Sequence, residues 1–208
     1  MLQVEKFYTS PSDLVTLEPS NKSELDFLFK EIFEYQIYNN IPEMKIKNGD
    51  VVLDIGAHIG IYSRYAACQG ASRVIAMEMD PRNFSCLRLN VRPEDDIFNC
   101  VLFNKLFTKF KLENDLLVIG FTLDYFFEGG LFDKVDFLKI NISGKEQILL
   151  NSFSQRLFNS IRKISMKVFN LTNNERQNCV SFVKSKGFSN SFDIVLPNCN
   201  FQILYFWK

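Results

Sequence analysis

The sequence predicts a single α/β domain with a mostly parallel central sheet, an antiparallel pair of strands at its C-terminal end and an inserted β-hairpin. Three observations predict this fold. From Val51 onwards short apolar runs alternate with segments of helical periodicity, the alternation resumes after residue 133, and a short connection separates the last two apolar runs. A chain of 208 residues with 47% hydrophobic content can form one core that buries about 70% of the unfolded surface.

We divide the predicted domain into an N-terminal helical segment, residues 1–45, and a core, residues 46–208. Within the segment, apolar residues recur at helical spacing over 21–36, after an asparagine that can cap a helix. These residues are Asn21 at the cap and then Leu25, Leu28 and Ile32. The spacing predicts a helix that packs one face against the rest of the protein.

The first half of the core alternates between strands and helices. The predicted elements are a strand at 51–55, a helix at about 61–69, a strand at 72–78, a helix at 81–90 and a strand at 97–103. Pro81 opens the second helix, where its fixed φ is favourable. Because strands separated by helices form right-handed crossovers, this half predicts a parallel sheet.

The second half of the core interrupts this alternation once and then resumes it. Residues 104–121 contain two β-rich runs around a turn-like Glu-Asn-Asp, which predicts a hairpin on the edge or rim of the sheet. The later predicted elements are a strand at 134–140, a helix from about 145, a strand at 161–169, a helix capped by Thr172 and closed by Gly187, and an antiparallel pair of strands at 192–198 and 201–208.

Charge and apolar content exclude several classes of protein. The formal net charge is +0, so no overall basic field favours a nucleic-acid partner. No apolar run reaches the length of a membrane span, and the N-terminus lacks the apolar stretch of a signal peptide, so we expect a cytoplasmic protein without a membrane partner. The five cysteines show no Cys-x-x-Cys pairing, which favours reduced, buried thiols and no metal site. The sequence does not indicate an oligomeric state.

Residues 54–60, Asp-Ile-Gly-Ala-His-Ile-Gly, form the predicted turn between the first strand and the first core helix. In open α/β sheets ligands bind outside the carboxyl ends of the strands, where this turn lies. The spacing Gly56-x-x-x-Gly60 lacks the Gly-x-Gly-x-x-Gly pattern that brings a pyrophosphate onto a helix N-terminus, and an acid, Asp54, closes the strand. The turn therefore argues against NAD or FAD.

A second acid, Glu78, closes the next predicted strand. A carboxylate in this position can accept hydrogen bonds from both hydroxyls of a ribose. Together with a glycine turn that has no pyrophosphate cradle, it predicts an adenosine ligand with a cationic remainder, and S-adenosylmethionine fits that description. The alternative interpretation is that Asp54 caps a turn and Glu78 is a solvated strand end.

The stretch 48–91, followed by the runs 121–126 and 135–146, resembles the FkbM-type family of S-adenosylmethionine-dependent methyltransferases, and the resemblance extends over about residues 31–188. It implies the Rossmann-like class I methyltransferase fold and S-adenosylmethionine as the cofactor. The residues that it implies around the methionine part are Asp54, Gly56, Ala57 and Gly60. It also implies that Glu78 binds the ribose, beside the turn formed by Asp80 and Pro81.

Three further residues belong to the predicted cofactor site. Met79 follows the ribose acid, and Asn141 closes the fourth strand of the core. His58, the only histidine, lies inside the glycine turn and is a candidate for contact with cofactor or substrate. The alternative for His58 is a side chain that the loop merely tolerates.

One departure from the family pattern concerns the predicted catalytic region. The pattern after the fourth strand is Lys-Ile-Asp-x-Glu-Gly-x-Glu, whereas residues 139–146 read Lys-Ile-Asn-Ile-Ser-Gly-Lys-Glu, so Asn141 and Ser143 replace two acids. Glu146 and Asp124, which belongs to a matching Thr-Leu-Asp run, are the candidates for a general base. Lys139 is a candidate for orienting a substrate oxygen, with an ion pair to Glu146 or Asp136 as the alternative.

The predicted function is methyl transfer from S-adenosylmethionine to an oxygen of a small molecule or sugar. The two missing acids favour an alternative, a binding or regulatory module that retains the fold with weakened or no catalysis. A second alternative is an RNA methyltransferase, because residues 104–111 interleave basic and aromatic side chains. An edge hairpin with a solvated face explains these residues equally well, and the neutral net charge does not favour RNA.

Overall fold

A computed structural model describes residues 22–91, 96–99, 101–102, 108–111, 117–195 and 199–208. The strands within these residues are β1 Val51–Ile55, β2 Arg73–Glu78, β3 Asp96–Asn99, β4 Val101–Leu102, β5 Thr108–Lys111, β6 Leu117–Phe121, β7 Phe137–Ile140, β8 Lys163–Phe169, β9 Asn190–Val195 and β10 Phe201–Trp207. Seven of them form one sheet in the order β3-β2-β1-β7-β8-β10-β9.

The seven-stranded sheet confirms the predicted architecture. Strands β3, β2, β1, β7 and β8 pair in parallel, as the helical crossovers require. Strand β10 lies antiparallel between β8 and β9, which confirms the predicted C-terminal pair. The strand order reverses between β1 and β7, and ligands bind at such a point in open α/β sheets.

The predicted strand at 97–103 is not continuous. Strand β3 belongs to the large sheet, whereas β4 pairs in parallel with β6 in a separate sheet of order β4-β6-β5. The predicted hairpin is present as the antiparallel pair β5 and β6, but it belongs to this second sheet and not to an edge of the large one. Its turn, and residue 100 between β3 and β4, lie outside the described residues.

The described helices are α1 Lys22–Phe29, α2 Ile61–Cys68, α3 Pro81–Asn90, α4 Leu123–Glu128, α5 Glu146–Asn151, α6 Gln155–Ser160 and α7 Asn173–Ser185. The predicted helix over 21–36 begins as α1 but continues as a π-helical turn, Lys30–Glu34, and its capping Asn21 lies outside the described residues. The predicted starts of two core helices are confirmed. Pro81 is the first residue of α3 and follows the capping Asp80, and Thr172 caps α7 in a capping box with Glu175.

Apolar clusters cover both faces of the large sheet, and β8 shows how its residues divide between them. Ile164, Met166 and Val168 face a cluster that includes α5, α6 and α7. The alternate residues Lys163 and Lys167 point the other way because successive side chains of a strand leave on opposite faces. That other face is covered by α2 and by residues between positions 25 and 46, nearly all of them in the N-terminal segment.

Two other expectations can be compared with the structure. Of the cysteines in the described residues, Cys86 and Cys179 are buried as predicted, but Cys68 and Cys199 are exposed. Within the described ranges, the helices are too short and too polar to cross a membrane.

Candidate functional site

Three residues of the glycine turn after β1 have a left-handed backbone conformation. Gly56 has φ +74°, His58 has φ +55° and Gly60 has φ +90°. A Cβ atom on Gly56 would lie 1.9 Å from the carbonyl oxygen of Asn141, and one on Gly60 would lie 2.8 Å from a methyl carbon of Leu87. Gly56 is therefore required by the neighbouring backbone of Asn141, and Gly60 is favoured by its left-handed φ.

A buried ion pair joins the carboxyl ends of β1 and β7. Asp54 and Lys139 are register partners in the parallel ladder, and Nζ of Lys139 lies 2.8 Å from Oδ1 of Asp54. The ammonium also donates to the carbonyl oxygen of Gly56 at 2.7 Å, and the Ser63 hydroxyl donates to Oδ2 of Asp54 at 2.7 Å. Both oxygens of the buried carboxylate thus have a donor, as a charge at this depth requires.

The partner of Lys139 differs from both predicted partners. Asp136 interacts instead with Lys134 and Arg162 and accepts the backbone N–H of Val51 at 2.8 Å. These contacts lie at the opposite, amino end of β1. Asp54 is the nearest acid to Lys139 because the strand order places β1 beside β7, whereas the prediction considered only neighbours in sequence.

Glu78 joins the end of β2 to the glycine turn. Its Oε2 accepts the backbone N–H of His58 at 2.8 Å, and its Oε1 accepts the backbone N–H of Asp80 at 2.7 Å. Both carboxylate oxygens of Glu78 are thus bound to backbone N–H groups at the carboxyl edge of the sheet. Glu78 is buried, with 8% of its surface exposed, whereas Met79 beside it is 52% exposed. The alternative interpretation of Glu78 as a solvated strand end is therefore wrong.

Asp80 caps α3 immediately beyond Glu78. Its side chain accepts the backbone N–H groups of Arg82 and Asn83. Hydrogen bonds from the Arg82 side chain hold the pKa of Asp80 below its usual value, so this carboxylate is charged at neutral pH. The ribose acid that the resemblance implies and the capping acid therefore stand side by side on the same edge of the sheet.

The loop after β7 begins at Asn141 and is closed by Glu146. Oε1 of the buried Glu146 accepts the backbone N–H groups of Ile142 at 3.0 Å and Gly144 at 3.1 Å. Ser143 and Gly144 have φ +54° and +91°, and both are exposed. Glu146 therefore stabilises the conformation of this loop by charge-assisted hydrogen bonds.

Asp124 has its contacts in another part of the fold. Its carboxylate accepts the backbone N–H of Ser154 at 2.9 Å and also the Ser154 hydroxyl. Ser154 caps α6, so Asp124 connects the first turn of α4 to the start of α6. The structure thus brings together the strand-end residues Asp54, Gly56, Lys139 and Asn141, while the contacts of Asp124 are with the α5–α6 junction.

Sequence reasoning missed Tyr38, which lies under the end of β7. Nδ2 of Asn141 donates to the Tyr38 hydroxyl at 3.1 Å, and Nζ of Lys139 lies 5.5 Å from the centroid of the Tyr38 ring. Burial first, and then the carboxylates of Glu31 and Asp54, hold the pKa of Tyr38 well above its usual value. Periodicity gives no signal for this residue, because it follows the helical part of its segment.

A second buried ion pair was also missed. Nζ of Lys167, on β8, lies 2.9 and 3.0 Å from the two carboxylate oxygens of Glu31, in the π-helical turn, and 3.8 Å from the centroid of the Phe201 ring. A lysine at an inward position of a strand was the available signal, since a buried ammonium needs a partner. Among the described residues, no group of three or more His, Cys, Asp or Glu could hold a metal ion.

Comparison with known proteins finds short matches in sequence. No family model matches the chain. A ribosomal protein L11 methyltransferase of Anoxybacillus flavithermus is 44% identical over 50 residues, which cover 24% of this chain and 16% of that protein. The 31-O-demethyl-FK506 methyltransferase FkbM of Streptomyces tacrolimicus is 34% identical over 76 residues, 36% of this chain and 29% of that protein. The matched segments therefore span less than a third of either relative.

Solved structures match over most of the chain. Methyltransferase FkbM of Methylobacillus flagellatus has a TM-score of 0.65 at 14% identity, over 95% of this chain and 56% of that one. Precorrin-6y C5,15-methyltransferase of Geobacter metallireducens has a TM-score of 0.53 at 14% identity over the whole of both chains. Fibrillarin of Aeropyrum pernix, with bound S-adenosyl-L-methionine, has a TM-score of 0.55 at 15% identity, over 81% of this chain and 70% of that one. The chain has the Rossmann-like fold of class I methyltransferases.

Proposed function

We propose that the chain is an S-adenosylmethionine-dependent methyltransferase of the FkbM type, which transfers a methyl group to an oxygen of a small molecule or sugar. The observation that carries the proposal is the position of Glu78, which ends β2 beside the exposed Met79 and is hydrogen-bonded to the glycine turn. The names of the two relatives that match in sequence, both methyltransferases, support the chemistry. The first of these names describes a protein substrate and the second a small-molecule substrate.

The strand-end residues fit an adenosine ligand. A carboxylate at the end of β2 can accept hydrogen bonds from two ribose hydroxyls. The backbone contacts of Glu78 with His58 and Asp80 fix its position at that strand end. The ion pair of Asp54 with Lys139 holds the start of the glycine turn in place, because the same ammonium also donates to the Gly56 carbonyl. Half-buried Asn141 completes the row of strand ends at β7.

When bound, S-adenosylmethionine supplies an activated methyl group on a sulfonium. The residues of the chain then have to bind the cofactor, align the acceptor and exclude water. The hydrogen bonds of Glu146 to its own loop favour a positioning role over the general-base role predicted from the sequence. The contacts of Asp124 with Ser154 favour a structural role for that acid. Lys139 acts through Asp54 and Gly56, and its contacts do not favour the role of orienting a substrate.

A binding module without turnover is the second candidate. The specific observation in its favour is that Asn141 and Ser143 place no carboxylate at the two positions where the family pattern has acids. Binding of the demethylated product, S-adenosylhomocysteine, together with no methyl transfer to hydroxyl acceptors, would support this candidate over the enzyme.

The first test measures the affinity of S-adenosylhomocysteine by calorimetry in wild type and in Glu78→Ala. Loss of two charge-assisted hydrogen bonds should weaken binding by at least about tenfold. Glu128→Ala, which removes an exposed carboxylate on α4, is the matched control and should leave the affinity unchanged. Equal affinities of wild type and folded Glu78→Ala would remove Glu78 from the site, and absence of binding by wild type would overturn the proposed function.

A further inference from the structure

The strand order gives a direction to the proposed ligand, and this inference rests on the proposed function. Glu78, Gly56 and Asn141 lie at the carboxyl ends of three neighbouring strands, β2, β1 and β7. Adjacent strands lie about 5 Å apart, so Glu78 and Asn141 are separated by about 10 Å along the edge of the sheet. A ligand whose ribose binds at Glu78 and which crosses the glycine turn has its amino-acid end toward Asn141.

The main chain of Asn141 is fixed on two sides. Its backbone N–H donates to the Ile55 carbonyl at 3.0 Å, and its own carbonyl fills the space that a side chain on Gly56 would need. The side chain is half-buried, so it reaches the surface of the site. The main chain of Asn141 therefore has a fixed position, and the orientation of its side-chain amide depends on the contacts that the amide makes.

Tyr38 determines that orientation. The amide donates through Nδ2 to the Tyr38 hydroxyl, which is buried beneath it. Because the two ends of a planar amide point in different directions, this bond turns Oδ1 away from Tyr38. Oδ1 is an acceptor only, so it complements a donor such as an ammonium and not a carboxylate.

The charges around the pair also favour a cation. The carboxylates of Glu31, Asp54 and Glu146 all act on the Tyr38 hydroxyl and raise its pKa, in addition to the larger effect of burial. Asp54 and Glu31 are balanced by Lys139 and Lys167, whereas the Glu146 contacts described above are with neutral backbone groups. The local field is thus neutral to negative.

We infer that Oδ1 of Asn141, oriented by Tyr38, binds the α-ammonium group at the amino-acid end of the cofactor. Asn141 is the contacting residue and Tyr38 is a positioning residue. The substitution of an acid by Asn141 then retains an acceptor for the ammonium while removing a negative charge.

The test compares three ligands by calorimetry: S-adenosylhomocysteine, its analogue without the α-amino group and its analogue without the carboxyl group. Wild type should bind the complete ligand at least about fivefold more tightly than the deaminated analogue, as one hydrogen bond to a charged group provides. Tyr38→Phe should reduce this ratio by about threefold or more and leave the ratio for the decarboxylated analogue unchanged. Tyr62→Phe, which removes another buried hydroxyl that bonds Asn39, is the matched control and should change neither ratio.

A purely structural role of Tyr38 would weaken all three ligands equally, and that result would overturn the inference. A change confined to the decarboxylated analogue would overturn it as well, because the amide would then serve the carboxylate. Asn141→Ala gives the same comparison should Tyr38→Phe not fold, and an unchanged deamination ratio in that variant overturns the inference. If wild type binds S-adenosylhomocysteine and neither variant changes the deamination ratio, the inference is wrong and the proposed function stands. If wild type binds none of the three ligands, the inference and the proposed function are both wrong.

Discussion

The two loops that leave the carboxyl ends of β1 and β7 lie side by side but are stabilised in different ways. The glycine turn after β1 is fixed by distant parts of the chain: Lys139 through Asp54, and Glu78 through the N–H of His58. The loop after β7 is bonded to Ile55 and Tyr38 at its first residue, Asn141, and beyond that residue it is fixed from within, by Glu146. A loop segment that stabilises itself can vary in sequence without disturbing its neighbours. Ser143, one of the two departures from the FkbM-type pattern, lies in that segment, whereas Asn141, the other, is bonded to Ile55 and Tyr38.

The largest expected difference between the loops is in their tolerance of a side chain at glycine. Gly56→Ala would bring a Cβ within 1.9 Å of the Asn141 carbonyl oxygen at φ +74°, whereas a Cβ at Gly144, with φ +91°, meets no atom within 4 Å. We expect Gly56→Ala to destabilise the protein by about 4 kcal/mol or more, and Gly144→Ala by about 1 kcal/mol from backbone strain alone.

Urea unfolding of both variants measures these costs. Failure of Gly56→Ala to fold would agree with the prediction, since the clash is with backbone atoms of Asn141. Equal and small losses in the two variants would mean that the turn after β1 can move away from β7, and the contrast between the loops would be wrong.

The next difference concerns the two buried acids. Asp54→Asn leaves the Lys139 ammonium buried without a counter-charge, which costs about 3–5 kcal/mol. Glu146→Gln keeps an acceptor oxygen for its two backbone N–H groups and loses only the charge, so we expect about 1–2 kcal/mol. The free energy of unfolding at neutral pH checks both values, and a Glu146→Gln loss as large as that of Asp54→Asn would contradict the local character of the β7 loop.

Much of the fold could be predicted because it depends on local patterns. The strand and helix that flank the glycine turn follow from periodicity, and the cap of α3 follows from Asp80 and Pro81. The break between β3 and β4 could not be predicted in this way, because one apolar run serves two different sheets. Short apolar runs carry no information about which neighbour they pair with.

The candidate site could be predicted only in part, for a related reason. Asp54, Gly56 and Glu78 lie near each other in sequence and in motifs, so their proximity was expected. The pair of Asp54 with Lys139 spans 85 positions and depends on strand order, and the bond of Tyr38 to Asn141 spans 103 positions. Such contacts are set by tertiary packing, which a single sequence does not encode as a periodic signal.

The smallest expected effect concerns the charge that the β7 loop presents to a ligand. For the proposed cofactor, Asn141 and Ser143 supply less negative charge to attract the cationic sulfonium than the two acids of the FkbM-type pattern would. We therefore expect wild type to bind neutral S-adenosylhomocysteine as well as or better than S-adenosylmethionine, with slow or no transfer to simple hydroxyl acceptors.

Restoring the acids tests this expectation and separates the two positions. The double change Asn141→Asp with Ser143→Glu should shift the preference toward S-adenosylmethionine by about tenfold, which corresponds to about 1.4 kcal/mol. Asn141→Asp alone should produce most of the shift, because this side chain is half-buried against Tyr38, whereas Ser143 is exposed and water screens a charge placed there. Calorimetry with both ligands gives the ratio for each variant. A larger shift from Ser143→Glu than from Asn141→Asp would place the sulfonium on the outer side of the loop, and an unchanged ratio in the double variant would mean that neither position faces it.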